Sequence, residues 1–226
     1  MHDTAMQHGK LFFETYLKDA KNLTIVDVGA LDVNGSLRSV APNNNKFVGV
    51  DFAQGRGVDV VITDPYALPF EDNSVDAVVS SSCFEHSEFF WLSFNEIQRI
   101  LKPSGLLYLN APSNGPFHRF PVDCYRFYPD SGTALQNWGR RSGFNTALLE
   151  SFIGEQNRGM WNDFVGVFVK DEKFANNYKT RIQDNFSGFT NGLRYGSEKL
   201  ANLSEHSEDQ KWNLPKRLRR LFRNNI

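Results

Sequence analysis

Five short runs constrain this chain more than any other feature: LTIVDVGA (23–30), KFVGVDF (46–52), VDVVIT (58–63), VDAVVSSS (75–82) and LLYLNAPS (106–113). Each is nearly continuous in apolar residues and too short to read as a buried helix. Strands of that kind have both faces covered, as in a parallel sheet with other elements packed on either side. A helix-period stretch from about Phe89 to Leu101 precedes the fifth run and stops at Lys102-Pro103-Ser104-Gly105. Pro cannot continue a helix there, and Gly suits a tight return. Pro129 to Arg141 reads as a helix closed by Ser142-Gly143, followed by TALLESFI (146–153) and DFVGVFVK (163–170). No helix fits between those last two runs, so they pair antiparallel. The expected fold is α/β: a Rossmann-like three-layer sandwich whose mostly parallel, seven-stranded sheet ends in an antiparallel hairpin.

The length of 226 residues suits one domain with an appendage. We place the domain at 1–170, with an N-terminal helix over 5–20, and a polar helical tail at 171–226. In that tail Phe174, Tyr178, Ile182 and Phe186 recur every four residues and predict a helix docking one stripe on the domain. In the final segment, 212–226, Leu214, Leu218, Leu221 and Phe222 would share one helical face, with Lys216, Arg219, Arg220 and Arg223 opposite. A basic amphipathic end points to a peripheral membrane or protein contact, with a solvated tail as the plainer alternative. The formal charge of −1 argues against a whole-surface nucleic-acid binder. Cys83 and Cys124 make no disulfide framework and show no metal-ligand spacing. Reduced thiols, and an opening that does not read as a signal peptide, point to the cytoplasm.

The first run ends in Asp27-Val28-Gly29-Ala30 and the second in Asp51. Ligands of open α/β sheets bind beyond the carboxyl ends of the strands. A glycine there admits a ligand close to the backbone, and free amides favour its anionic groups. A carboxylate ending the next strand can accept hydrogen bonds from both hydroxyls of a ribose. Together the two features point to a nucleoside-containing cofactor, although each alone also serves turns.

VDVGALDVNG, FVGVDF, DPYALPFEDNSVDAVVSSSCFEH and EIQRILKPSGLLYLNAPS resemble the successive motifs of class I S-adenosylmethionine-dependent methyltransferases. The resemblance is nearest to the small-molecule branch that includes ubiquinone/menaquinone-type enzymes, and it covers roughly residues 22–170. It implies S-adenosyl-L-methionine as cofactor. Asp27, Gly29 and Ala30 would lie by its methionine portion, Asp51 at the ribose and Phe52 against the adenine. Asp64 and Pro65 would lie at the adenine edge and Ser81 and Ser82 near the sulfonium. Asp64 has a second reading, as the start of a turn before Pro65. The first motif departs from the family: Leu31 and Val33 stand where its second and third glycines are usual, leaving Asp32, Asn34 and Gly35 to line the loop.

After the fifth run comes HRFPVDCYRF (118–127), at the edge where this family commonly builds its acceptor site. His118 and His86 are candidate bases, with Asp123 orienting His118 or acting as the base itself. His86 also has a structural reading. Arg119 and Arg126 suit a phosphate or carboxylate on the acceptor, and Tyr125, with Phe117, Phe120 and Phe127, suits an apolar or sugar-stacking floor. In the alternative, those aromatics are core and the arginines pair with Asp123 and Asp130. A metal site from Glu85, His86, His118 and Asp123 is conceivable, but no spacing pattern supports it, and none is assigned. The expected activity is O-methylation of a small acceptor such as a sugar, sugar-phosphate or glycan intermediate. A non-catalytic module recruited through the basic tail is the alternative, supported by the altered glycine loop. A nicotinamide-dependent oxidoreductase lacks its phosphate-binding glycine fingerprint.

Overall fold

The structure is a computed structural model and describes residues 2–157 and 159–205. The expected runs become β1 (Thr24–Val28), β2 (Lys46–Asp51), β3 (Val60–Val61), β4 (Val75–Ser81), β5 (Leu101–Pro112), β6 (Ala147–Gly154) and β7 (Asp163–Val169). An eighth strand, β8, spans Phe189–Arg194, and the α-helices among the described residues are α1 (Asp3–Tyr16), α2 (Phe90–Ile100) and α3 (Ser131–Arg141). All strands form one sheet in the order β3-β2-β1-β4-β5-β7-β6-β8. The first five pair in parallel. Strand β7 lies antiparallel between β5 and β6, and β8 pairs antiparallel with β6.

Alternation along the strands sorts the core into two layers. Leu107 and Leu109 of β5 join Val26, Val78 and Phe168 against Phe94, Ile97 and Ile100 of α2 and Leu135 of α3. Leu106 and Tyr108 face the other way, with Ile25, Val79 and Val165, against Phe12 and Phe13 of α1. Both faces are covered, which explains the near-continuous apolar runs. At the end of α3, Gly143 takes the left-handed conformation at φ +94°, and Phe144 N–H reaches the Gly139 carbonyl. That is the turn expected of a glycine after the last helical residue.

The chain beyond 170 departs from expectation. Residues 172–184 form two short 3-10 turns rather than a long helix, and 189–194 add the eighth strand. Ile182 is buried, and Phe174, Tyr178 and Phe186 pack partly against the α1-side core, so the apolar stripe docks without being helical. Its anchor is Glu150, buried on β6, which accepts hydrogen bonds from Tyr16 Oη and from the Ile182 and Gln183 amides. Arg181 donates to the Leu149 carbonyl. An unpaired edge on β6 would leave backbone groups unsatisfied, and β8 covers it. Of the segment after 170, residues 189–194 join the sheet as β8, and the turns of 172–184 pack against the α1-side core. The basic segment 212–226 lies outside the described residues. Among the described residues no helix is long and apolar enough to cross a membrane.

Candidate active site

The carboxyl ends of β1, β2 and β4 lie side by side, and their loops build one half of the site. Gly29 has φ +85°, and a Cβ placed there would meet the Cys83 side chain at 2.6 Å. Burial, helped by nearby Glu85, Asp51 and Asp27, pushes the Cys83 thiol up to about 12, so it is present as an uncharged thiol against the glycine. Asp51 is 8% exposed. Its Oδ2 accepts from the Leu31 amide at 3.0 Å and its Oδ1 from the Ala53 amide at 3.0 Å. A carboxylate offers about four acceptor positions, so each oxygen retains capacity for a ribose hydroxyl. Phe52, next in sequence, is 57% exposed and leaves an aromatic face open.

The altered glycine loop has a compensation across from it. Leu31 packs where a Cβ on Gly55 would sit 2.4 Å from Leu31 Cδ1, and Gly57, at φ +88°, approaches the Ala30 carbonyl. The space that the family's glycines usually leave in the first loop is supplied here by glycines in the second. Asp32 closes the first loop, accepting from the Gly35 amide at 2.8 Å and pairing with Arg56 Nε at 2.9 Å. Asp64 accepts from the Tyr66 amide at 2.8 Å and is exposed, as in the turn reading. Ser81 is 4% exposed and sits beside Asn110 of β5. Ser82, with φ +53°, turns the chain out of the sheet.

Asp27 is 3% exposed. Among the described residues its carboxyl has no hydrogen-bonding partner. Burial raises it to about 7, with Asp51 adding to the rise and Arg38 opposing it. The folded-state value therefore lies above the unfolded one of about 3.9. Its share of stability is fully retained below pH 4 and lost as pH rises to about 7. Asp27→Asn is expected to be more stable than the parent above pH 7, by an amount on the order of a few kcal/mol. The two should converge near pH 4, which denaturant melts at pH 4 and pH 8 check. Equal differences at both pH values would refute the assignment.

The other half of the site comes from the loops after β4 and β5. Cys124 and Tyr125 amides both donate to the Glu85 carbonyl, which ties the acceptor loop to the short turn Phe84–His86. Asp123 receives two donors from Arg126 and the His118 amide at 2.7 Å. These contacts, Arg126 foremost, hold its carboxyl well below the usual carboxylate range. Such a group accepts no proton near neutrality, and its Oδ2 lies 3.4 Å from His118 Nδ1. Arg126 also donates to the Pro116 and Tyr125 carbonyls, so it braces the loop rather than facing an acceptor. Tyr125 likewise donates its hydroxyl to the Glu88 carbonyl, and Phe127 is buried in the core. Arg119 is exposed, as are Phe117 at 75% and Phe120 at 59%.

His86 and His118 meet edge to face, with ring centroids 4.9 Å apart. Burial lowers the His86 pKa, against an opposing hydrogen bond to the Val122 carbonyl. Sequence reasoning missed one neighbour, Trp161, and named the other, Glu85, only within a four-residue group. Trp161, from the β6–β7 connection, sets its ring 5.0 Å from His118. It fits only because Gly115 lacks a Cβ, which would fall 2.0 Å from the indole. Glu85, 1% exposed, lies beside His86. Neither contact follows a sequence period, and only the FEH tripeptide hinted at the second. A cavity of about 400 Å³ lined by Tyr178, Lys179, Arg181, Arg194 and Tyr195 lies beside β8, across the sheet from β1 and β2.

Residues 13–109 match the family described as a methyltransferase domain. This segment is similar to a methyltransferase domain. An uncharacterized methyltransferase of Mycobacterium tuberculosis is 32% identical over 119 residues, covering 48% of this chain and 46% of that protein. A demethylmenaquinone methyltransferase of Staphylococcus saprophyticus is 25% identical over 130 residues, 51% of this chain and 54% of that protein. The chain thus spans about half the length of the curated relatives it matches. Among solved structures, the 1,6-didemethyltoxoflavin-N1-methyltransferase of Burkholderia thailandensis, with bound 1,6-didemethyltoxoflavin and S-adenosylhomocysteine, has a TM-score of 0.57. It is 15% identical over 74% of this chain and 79% of that one. The [4+2]-cyclase SpnF fits comparably, with a TM-score of 0.56 at 15% identity over 74% of this chain and 81% of its own. The methyltransferase domain fold is shared, and a cyclase shares it too, so the site must carry the functional argument. Nothing in these similarities supports a non-catalytic module.

Proposed function

We propose that this chain is an S-adenosylmethionine-dependent methyltransferase that methylates a hydroxyl of a small acceptor, such as a sugar, sugar-phosphate or glycan intermediate. The observation that carries the reading is the convergence of Asp27, Gly29 and Asp51 at one sheet edge with the His86–His118 pair beyond β4 and β5. The residues fit the cofactor. A buried carboxyl without a partner, Asp27, suits the ammonium of the methionine portion; Asp51 retains acceptor capacity for the ribose; and Phe52 offers its face to the adenine. When bound, S-adenosylmethionine supplies a methyl group already activated on a sulfonium.

The protein's task is then alignment, which can contribute about 7–11 kcal/mol. The loop 114–127 holds the acceptor, with Phe117 and Phe120 stacking on its apolar or sugar face and Arg119 meeting a negative charge. Asp123 orients His118, whose imidazole takes the hydroxyl proton, a contribution of about 10²–10⁴-fold. The exposed aromatics Phe117 and Phe120 suit stacking on a small acceptor. Calorimetric titration of the full chain with S-adenosylhomocysteine tests the reading. A micromolar Kd is expected, with Phe52→Ala weakening it about tenfold if the ring stacks on the base, as base–aromatic stacking is worth about 1–3 kcal/mol. Absence of heat and of thermal stabilisation with folded protein would remove the enzyme reading.

A further inference from the structure

The turn after β4 and the loop after β5 bring three metal-binding side chains together. One donor atom from each of Glu85, His86 and His118 lies within 4.8 Å of the others. Glu85 Oε1 is 3.6 Å from His86 Nε2. The tautomers follow from what the other ring nitrogens meet. His86 Nδ1 faces the Val122 carbonyl and so carries the hydrogen, leaving a lone pair on Nε2. His118 Nδ1 lies 3.2 Å from the Pro116 carbonyl and 3.4 Å from Asp123 Oδ2. Arg126 Nη2 is also 3.4 Å away, but two oxygen acceptors outweigh one distant donor, and Nε2 again keeps the lone pair. Metal-binding histidines are held in this way, with the second nitrogen donating to a carbonyl or carboxylate.

The buried carboxylate supplies an independent sign. Glu85 is 1% exposed, and its Oε2 is buried with no hydrogen-bond partner. An unsatisfied buried carboxylate is unfavourable unless protonated or neutralised by a cation. Arg126, on the same loop as His118, is already committed to Asp123.

We propose that Glu85, His86 and His118 bind one divalent transition-metal ion through a carboxylate oxygen and two imidazole Nε2 atoms. Two imidazoles with one carboxylate suit Zn²⁺, Fe²⁺, Mn²⁺ or Co²⁺ better than Mg²⁺ or Ca²⁺, which favour all-oxygen sites. Three protein ligands leave positions open for solvent or an acceptor oxygen. Its role rests on the methyltransferase reading and refines it. With the ion present, the His118 lone pair is a ligand and the ion acidifies the acceptor hydroxyl. The hydroxyl proton leaves to solvent, the oxygen forms a new bond to the methyl carbon, and the carbon–sulfur bond breaks with its electron pair remaining on sulfur.

The test uses the untagged full chain, stripped with chelator and dialysed against Zn²⁺, Mn²⁺ or Co²⁺, with bound metal measured by mass spectrometry. One equivalent is expected, and Co²⁺ should add visible absorption from its imidazole-bound d-electrons. His118→Ala, whose ring is half-exposed and whose loss should leave the fold intact, is expected to weaken binding at least tenfold. Glu85→Gln should do the same, with circular dichroism confirming that both variants are folded. Wild-type uptake no greater than that of His118→Ala, or one equivalent retained unchanged by both variants, overturns the site. S-adenosylhomocysteine titrated into the metal-free protein separates the two readings. Cofactor binding without metal uptake removes only the metal site; metal uptake without cofactor binding supports the site and removes only the methyltransferase reading.

Discussion

Asp51→Ala is expected to weaken S-adenosylhomocysteine binding by about 100-fold, the largest effect of any single change on the cofactor side. Two hydrogen bonds from ribose hydroxyls to a carboxylate are each worth about 1.5–3 kcal/mol, and about 3 kcal/mol in total already gives that factor. A second loss adds to it. The same carboxylate holds the Leu31 and Ala53 amides, so its removal also frees the two loops that face each other across the site. Asp51→Asn separates the contributions, since its remaining carbonyl can still accept one amide while the charge is gone. Calorimetry on the three proteins, with thermal melts to confirm folding, should rank them parent, asparagine, alanine. An alanine variant that binds as tightly as the parent would move the ribose away from β2 and with it the whole placement of the cofactor.

Asp163→Ala should lower stability by about 3–5 kcal/mol, the range for removing one partner from a buried charged cluster. Asp163 begins β7 and is fully buried. His2 Nε2 lies 2.8 Å from its Oδ1, and His8 Nδ1 lies 3.4 Å from its Oδ2. Burial pushes its carboxyl up, but the two histidines outweigh this and hold it well below the usual carboxylate range. The sign follows from that depression. The stabilisation is present above the unfolded carboxylate value of about 3.9 and is lost as pH falls below it. Both histidines precede or belong to α1, so the cluster fastens that helix to the strand beside β5. Removing Asp163 leaves the His8 ring, which has no exposure, without the carboxylate beside it. A drop in melting temperature of roughly 10 °C is expected for a chain of this size. Hydrogen exchange should quicken across α1 well before it does in β4 and β5. His2→Ala should have a smaller effect, because His2 is partly exposed. Equal melting of Asp163→Ala and the parent would show that α1 is held by its apolar face alone.

The gain in stability expected for Asp27→Asn has a functional counterpart. The same buried carboxyl that burdens the folded chain above pH 7 is the one proposed to receive a cofactor ammonium. A variant that is more stable and binds less well would be the usual exchange at a site built for a ligand.

Strand runs and their order were legible because side chains buried on both faces leave a local, uninterrupted apolar record. β1, β2, β4 and β5 through β7 fall on the predicted runs, and Asp27, Gly29 and Asp51 lie at the strand ends where the sequence puts them. The eighth strand was not legible. FTNGLR carries little strand propensity, and it pairs because β6 presents an open edge and Glu150 gathers the amides of residues 182 and 183. The stripe of Phe174, Tyr178, Ile182 and Phe186 recorded burial correctly but not conformation, since a four-residue spacing is also compatible with successive short turns.

The acceptor side divides in the same manner. That His118, Asp123 and Arg126 share the loop after β5 followed from their position in the chain. Which of them faces solvent and which braces the loop depended on contacts between segments: Arg126 turns to Asp123 and two carbonyls, while Arg119 stays exposed. Glu85 and His118 are 33 residues apart in the chain and adjacent in space. Sequence alone determined the layers, the parallel core and the edge where ligands enter, because these depend on periodicity and on strand ends. Only the tertiary structure decided which charges are neutralised and which remain buried without a partner, because desolvation and pairing depend on neighbours the chain brings together through folding.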